Sequence, residues 1–264
     1  MASTNSTQFP IRISVMTFNV WGNHLWPERS ESLCDVICNS RPDILLLQEV
    51  TPDILKTLTN ELDQYDRVHD MEAGWMNEGN IFWNKNLFTQ VEHGSPNLDI
   101  EDNPDRCLFW VRLSVIAKPD ITMFISTAHL PWPGCDAEIQ TGVNQRIVAT
   151  LKVCEYLRQY IHPDEPAIFG GDLNDDFHPI RLLNDQLGFI DVFESLDLPP
   201  PITHPVRPSD PREENRPNKT LDWITCSLPI DSRVIGAFAK TIRGGKYPPA
   251  SDHMPVIAFF EIAQ

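Results

Sequence analysis

Four times in this chain an apolar, strand-like run stops at a short polar cluster, and a fifth cluster opens the last run. The clusters are Phe18-Asn19, Leu47-Gln48-Glu49, Ala128-His129, Gly171-Asp172-Leu173-Asn174 and Ser251-Asp252-His253. A run such as Ile44-Leu45-Leu46-Leu47 has no polar face, so it reads as a strand buried on both sides. Strands of that kind need helices or another sheet against both faces. Side chains at the ends of such strands converge on a crevice. The pattern therefore points to a layered domain around a sheet, with a polar crevice at one end of its strands.

The remaining segments agree with that reading. Ile11, Ile13 and Val15 alternate with Arg12 and Ser14, as in a half-buried strand. Glu28 to Ser40 places Leu33, Val36 and Ile37 on one helical face, with Pro27 suited to the first turn. Thr51 reads as the cap of a second helix that buries Ile54, Leu58 and Leu62. Strand candidates follow at Asn80 to Trp83, Cys107 to Val115 and Asp120 to His129. Residues 136 to 161 carry the strongest helical periodicity, through Ile139, Val143, Ile147, Leu151, Cys154 and Leu157. Ala167 to Asp172, Leu221 to Cys226, Arg233 to Ala239 and Met254 to Ile262 complete the strands. Pro199 to Lys219 holds seven prolines and cannot be regular structure. It is either a loop on the substrate side or disordered. Residues 1 to 10 read as a disordered lead-in and 11 to 264 as one domain.

Composition narrows the partners. The formal charge of −16 disfavours wide, sequence-independent binding to duplex nucleic acid, which uses a basic face. A short or small substrate fits better. No apolar run approaches the ~20 residues that span a bilayer. The start of the chain has neither a basic n-region nor an apolar h-region. The six scattered cysteines form no C-x-x-C pair, so they are expected to be reduced thiols in a cytoplasmic or nuclear protein.

Taken singly, each polar cluster has an ordinary explanation. Asn19 can end a turn, Glu49 can precede a helix, Asp172-Leu173-Asn174 can form an Asx turn, and His129 can be a satisfied buried histidine. Five together in one domain point instead to a common site. Asn, Glu, Asp and His side chains supply hard oxygen donors and imidazoles, a set that suits Mg²⁺ better than Zn²⁺. The chain has no H-E-x-x-H, no Gly-rich phosphate loop and no G-x-S-x-G elbow.

Six ordered motifs carry a family resemblance. They are Thr17-Phe18-Asn19-Val20-Trp21, Leu47-Gln48-Glu49-Val50, Ser126-Thr127-Ala128-His129-Leu130, Gly170-Gly171-Asp172-Leu173-Asn174, Leu221-Asp222-Trp223-Ile224 and Ser251-Asp252-His253-Met254-Pro255-Val256. From about Ile11 to Ile262 the chain resembles the endonuclease/exonuclease/phosphatase (DNase I-like) superfamily. The resemblance implies a four-layer α/β/β/α sandwich of two mixed sheets flanked by helices, acting as a metal-dependent phosphoesterase. By the same resemblance Glu49 coordinates Mg²⁺, or Mn²⁺ in its place, with help from Asn19 and Asp252. Asp172 orients or deprotonates the attacking water, Asn174 contacts the phosphate, and His129 and His253 stabilise charge on the phosphoryl oxygens. Asp222 supports the active-site histidine. Arg106 and Asn144, or Arg146 on the long helix, are further candidates for phosphate contact.

The substrate is less legible. Trp21, Trp26, Trp75 and Trp132 fall in expected loops, where rings can stack on bases, whereas Trp83, Trp110 and Trp223 read as core. The expected substrate is a nucleotide or the end of a short single-stranded nucleic acid, as for a nuclease or tyrosyl-DNA phosphodiesterase. The alternative is an inositol phosphate or a sphingomyelin-like lipid head group. An inactive binding module is disfavoured, because every expected ligand residue is present.

Overall fold

Two six-stranded mixed sheets, each built around one parallel pair, form the centre of the computed structural model. It describes residues 10–101, 103–206, 215–240 and 248–263. The expected lead-in, apart from Pro10, and residues 207–214 of the Pro-rich stretch lie outside the described residues.

In the first sheet β1 (Ile11–Asn19) and β2 (Ile44–Gln48) run parallel and are joined through α1 (Ser30–Ser40). On the far side of β2 stand β4 (Gly79–Asn84) and then β3 (Tyr65–Arg67). Beyond β1 stand β12 (Val256–Ile262) and the edge strand β11 (Arg233–Ala239). The second sheet repeats this plan. Its parallel pair is β7 (Lys118–His129) and β8 (Ala167–Asp172), joined through α4 (Asp136–Thr141) and α5 (Gln145–Tyr160). It is flanked by β6 (Phe109–Val115) and β5 (Phe88–Gly94) on one side, and by β10 (Asp222–Ser227) and β9 (Ile190–Asp191) on the other.

The period-two alternation of strand side chains sorts these residues into layers. Ile13, Val15, Ile44, Leu46, Val111, Ile125, Ile168, Ile224 and Ala258 meet between the sheets. On the outer face of the first sheet, Met16, Phe18, Leu45 and Leu47 pack on Leu33, Val36 and Ile37 of α1 and on Ile54, Leu55 and Leu58 of α2 (Pro52–Glu61). On the outer face of the second, Trp110, Phe124 and Phe169 pack on Ala149, Val153 and Leu157 of α5 and on Leu183 of α6 (His178–Leu187). The run Ile44-Leu45-Leu46-Leu47 is thus buried on both faces, and each such side chain contributes roughly 1.5–3 kcal/mol of transfer free energy. The result is the α/β/β/α sandwich expected from the motifs.

Two local expectations need correction, and one helix was not foreseen. The single helix over 136 to 161 is two helices, because Gly142 adopts φ +69° and closes α4, and Asn144 then caps α5 through Arg146 and Ile147 N–H groups. The break rotates the apolar face. Ile139, Val143 and Leu151 are exposed, and Ala149, Val153, Cys154 and Leu157 take the core side. Thr51 stands at the N-cap position of α2, but its hydroxyl donates to Asn23 Oδ1 at 2.8 Å rather than accepting a helix N–H. The helix α6 was not legible in the sequence, since the preceding Asp175 caps it from outside the periodic stretch through Phe177 and His178 N–H groups at 2.9 Å.

Candidate active site

The same strand parity that builds the inter-sheet core builds the site. Going along β1, the residues facing the other sheet are Ile13, Val15, Thr17 and then Asn19. Along β2 they are Ile44, Leu46 and Gln48, and along β7 they are Met123, Ile125, Thr127 and His129. The core therefore turns polar at one end. Gln48 forms the first polar layer: its amide donates across the sheets to Thr127 Oγ1 at 2.8 Å and within its own sheet to Thr17 Oγ1 at 3.1 Å. Asn19, His129, Asp172 and Asp222 form the next layer, and all are nearly or completely buried. Antiparallel pairing sets Asp222, at the start of β10, directly opposite Asp172, at the end of β8.

Asp172 is the hub. Its Oδ2 accepts from the Asn19 amide at 2.9 Å and lies 3.5 Å from His129 Nε2 and 3.7 Å from His253 Nε2. Its Oδ1 accepts the Asn174 main-chain N–H at 2.9 Å. Burial pushes its carboxyl up, but His253, His129 and these N–H donors outweigh that and hold it below the usual carboxylate range. Each imidazole is fixed from behind by its own buried carboxylate. His253 Nδ1 donates to Asp222 at 2.8 Å, and His129 Nδ1 donates to Glu78 at 2.7 Å. Burial opposes charge on His253, yet Asp222 and Asp172 hold its pKa well above the usual histidine value. Burial likewise opposes the Glu78 carboxylate, but His129, Arg106 and Asn103 keep it below its ordinary range.

Glu49 follows β2 at φ +56°, and about a third of its side chain is open to solvent. Its Oε1 accepts from the Asn19 amide at 3.0 Å and lies 4.0 Å from His129 Nε2. An accessible carboxylate beside a buried one, with open coordination for water, fits a hard divalent cation such as Mg²⁺. Two further groups could hold an ion by proximity, His204 with Asp252 and His253, and Asp172 with Asp222 and His253.

Some expected roles look different in place. Asn19 presents its amide nitrogen to Glu49 and Asp172 while its oxygen accepts the Trp21 N–H at 2.9 Å, so it links the two carboxylates in this arrangement. Asn174, at φ +51°, donates its amide to Leu130 O at 3.0 Å and so braces the turn after His129. Arg106 donates to the same carbonyl at 2.8 Å and lies 3.7 Å from Glu78, behind His129. Asn144 uses its oxygen as the α5 cap. Arg146 is neither solvated nor free for phosphate: it is buried between Glu138 and Asp175. Trp132 stands 56% exposed just beyond the His129 turn, whereas Trp75 is fully buried against Phe109 and belongs to the core. Trp83, Trp110 and Trp223 are core residues as expected.

Glu78 was missed in the sequence. It directly follows α3 (Ala73–Asn77), and its only local signal was an acidic residue two positions before the Asn80 to Trp83 strand. Thr203 was missed as well. Its hydroxyl oxygen accepts the Leu221 and Asp222 N–H groups at 2.9 and 3.1 Å, which seats the first part of the Pro-rich stretch against the site. All six cysteines are free thiols. Among the described residues no helix is long and apolar enough to cross a membrane.

Residues 16–253 match the model of the endonuclease/exonuclease/phosphatase family. Among solved structures, truncated TDP2 of Caenorhabditis elegans aligns with a TM-score of 0.77 at 20% identity, covering 95% of this chain and 98% of that one. TDP2 of D. rerio complexed with a single-strand DNA product aligns at 0.75 and 17% identity, covering 95% and 99%. The human Nocturnin catalytic domain with a bound sulfate aligns at 0.71 and 18% identity, covering 96% and 95%. No curated protein sequence matches the chain significantly. At these identities the structural likeness concerns the fold.

Proposed function

The chain belongs to the endonuclease/exonuclease/phosphatase family, and on that premise we propose that it is a Mg²⁺-dependent phosphodiesterase acting on a nucleotide or the end of a short single-stranded nucleic acid. One observation carries the chemistry. Two buried carboxylate–imidazole pairs, Glu78–His129 and Asp222–His253, direct their Nε2 atoms at a single buried carboxylate, Asp172, at 3.5 and 3.7 Å. A phosphodiester brings negative charge that must be neutralised as a pentacoordinate transition state forms. The imidazoles stand where they can donate to phosphoryl oxygens, with orientation fixed from behind. Asp172, held ionised, can orient a water and accept its proton.

Glu49 would hold the metal, with Asp252 as a second carboxylate and with the Asn19 amide holding Glu49 in place; Mn²⁺ could take the same place. When bound, the ion would add charge neutralisation at the phosphate and lower the pKa of coordinated water. The remaining work belongs to the protein. Asn19 keeps Glu49 and Asp172 in register, and Asn174 with Arg106 holds the turn that carries His129.

The nucleotide preference rests on Trp132. A base stacked on an exposed ring gains ~1–3 kcal/mol, and this exposed ring follows His129 by three residues. The likeness to a TDP2 complexed with a single-strand DNA product supports the same substrate class. The test is hydrolysis of a panel of short DNA and RNA, 5′-tyrosyl DNA, sphingomyelin and phosphoinositides. Each would be run with Mg²⁺, with EDTA, and with the Asp172→Asn variant. Metal-dependent turnover of a nucleic-acid substrate, reduced at least 10³-fold in the variant, is expected. Turnover confined to the lipid substrates would move the proposal to head-group hydrolysis. Full activity in Asp172→Asn would remove the site assignment altogether.

A further inference from the structure

Arg29 is completely buried, yet nothing in the phosphoester chemistry uses it. It stands directly before α1, and its guanidinium bonds to main-chain carbonyls of two separate loops. Nε donates to His24 O at 2.6 Å and Nη2 donates to Gly22 O, both in the loop that leaves β1 after Asn19. Nη1 donates to Ala250 O at 2.7 Å, directly before Ser251-Asp252-His253. The rings of Trp21 and Trp26 lie against the guanidinium, with centroids 5.6 and 5.4 Å from Cζ.

Glu49 and Asp252 lie outside regular structure, in the turn after β2 and in the loop before β12, and Asn19 is the last residue of β1 before the first loop. Trp21, Gly22, Leu25 and Glu49 all have φ between +46° and +64°. A loop with that much left-handed backbone keeps its shape only when its surroundings impose it. A Cβ on Gly22 would lie 3.4 Å from Glu49 Oε2, so the carbonyl held by Arg29 belongs to a residue packed beside the Glu49 carboxylate. Ser251 Oγ makes a second, weaker tie between the loops by donating to Asn19 O at 2.7 Å. Burial opposes the Arg29 charge, and the nearby Asp252 and Glu49 carboxylates favour it.

We propose that Arg29 is a positioning residue for the divalent cation: it locks the loop after Asn19 and the loop before Asp252 in one register, so that the Glu49 and Asp252 carboxylates are arranged before the ion arrives. This rests on the reading of Glu49 and its neighbours as the metal side of the site. A residue that only stabilised the fold would lower the melting temperature without touching metal affinity. A clamp sets the affinity itself, because a disordered ligand set must be ordered at the expense of binding.

The test measures Mg²⁺ binding to the full chain by calorimetric titration and by the Mg²⁺-induced rise in melting temperature. Wild type is compared with Arg29→Lys, Arg29→Gln and Leu33→Ala. Leu33 is a fully buried core residue of the same helix and serves as a destabilised control. Lysine keeps the charge but cannot reach three carbonyls in a planar fork. The expected result is at least tenfold weaker Mg²⁺ binding in both Arg29 variants, with Leu33→Ala unchanged. Should the Arg29 variants fail to fold, Ser251→Ala cuts the other tie between the same loops and should weaken Mg²⁺ severalfold. Wild-type affinity in the Arg29 variants, or in Ser251→Ala where that is the variant measured, overturns the clamp and leaves the metal reading intact. Absence of Mg²⁺ binding in wild type overturns the metal reading and the clamp together.

Discussion

Asp222→Asn is the substitution that most directly tests the two-pair arrangement. The variant keeps the shape of a side chain that is completely buried and removes only its charge. In the native protein His253 Nδ1 donates to Asp222 Oδ2 at 2.8 Å, which leaves Nε2 facing the reaction centre. An amide in that place offers hydrogens as readily as an oxygen, so the imidazole loses both its fixed tautomer and the charge that favours its protonated form. Removing one member of a buried pair costs about 3–5 kcal/mol. If most of that cost falls on the transition state, kcat/KM drops by on the order of 10²- to 10³-fold. The pH dependence should change with it. The folded-state pKa of His253 is raised, so its contribution to stability is fully present below the ordinary histidine value near 6.5 and is lost as pH rises through the higher folded value. Thermal melts in EDTA should therefore show wild type losing stability above neutral pH, with a flatter profile in Asp222→Asn. The assays are kcat/KM on the preferred panel substrate and melts from pH 6 to 9. A variant within fivefold of wild-type kcat/KM, with the same melting profile, would refute the role given to Asp222.

Three further outcomes follow from other parts of the structure. Burial pushes the Asp191 carboxyl up to about 6, while its Oδ2 accepts the Phe193 and Glu194 N–H groups. Between its ordinary value and 6 the folded state holds a proton that the unfolded chain has released, so stability falls as pH rises through that window. Asp191→Asn keeps the N–H acceptor, and urea unfolding should find it more stable by on the order of 1–3 kcal/mol at pH 7.5, with the difference gone below pH ~4. Gly171→Ala places a Cβ 2.0 Å from the Ala128 carbonyl oxygen, between the paired strands β7 and β8. It should cost more than about 3 kcal/mol and show as a collapsed melting temperature or insoluble expression; a soluble variant melting like wild type would contradict the close strand contact. Trp132→Ala should leave melting temperature and Mg²⁺ dependence unchanged while raising KM for a nucleic-acid substrate about 5- to 100-fold, as loss of one stacking platform predicts. An unchanged KM would take Trp132 out of the substrate site.

The legible features were those governed by local period and composition. Leu33, Val36 and Ile37 form the buried face of α1 as their spacing requires, and Ile44 to Leu47 is a doubly covered strand because it has no polar side to expose. The polar clusters at the strand ends converge as expected, since two parallel pairs and their antiparallel neighbours bring Asn19, Glu49, His129, Asp172, Asp222 and His253 to one end of the sandwich. The motif order also indicated the family correctly. What the chain could not disclose by itself were contacts between residues remote in sequence. Glu78 behind His129, 51 residues away, and Arg29 holding Ala250, 221 residues away, have no local pattern to announce them. Nor could periodicity settle the inward face of the whole 136 to 161 stretch: Cys154 and Leu157 turn inward as their spacing indicates, but Gly142 broke the helix and the second sheet took Ala149 and Val153 in place of Ile139 and Leu151. Helical and strand periods are properties of consecutive residues. The partner of a buried charge, and the face that a helix turns inward, are decided only when distant strands pack and water is excluded between them.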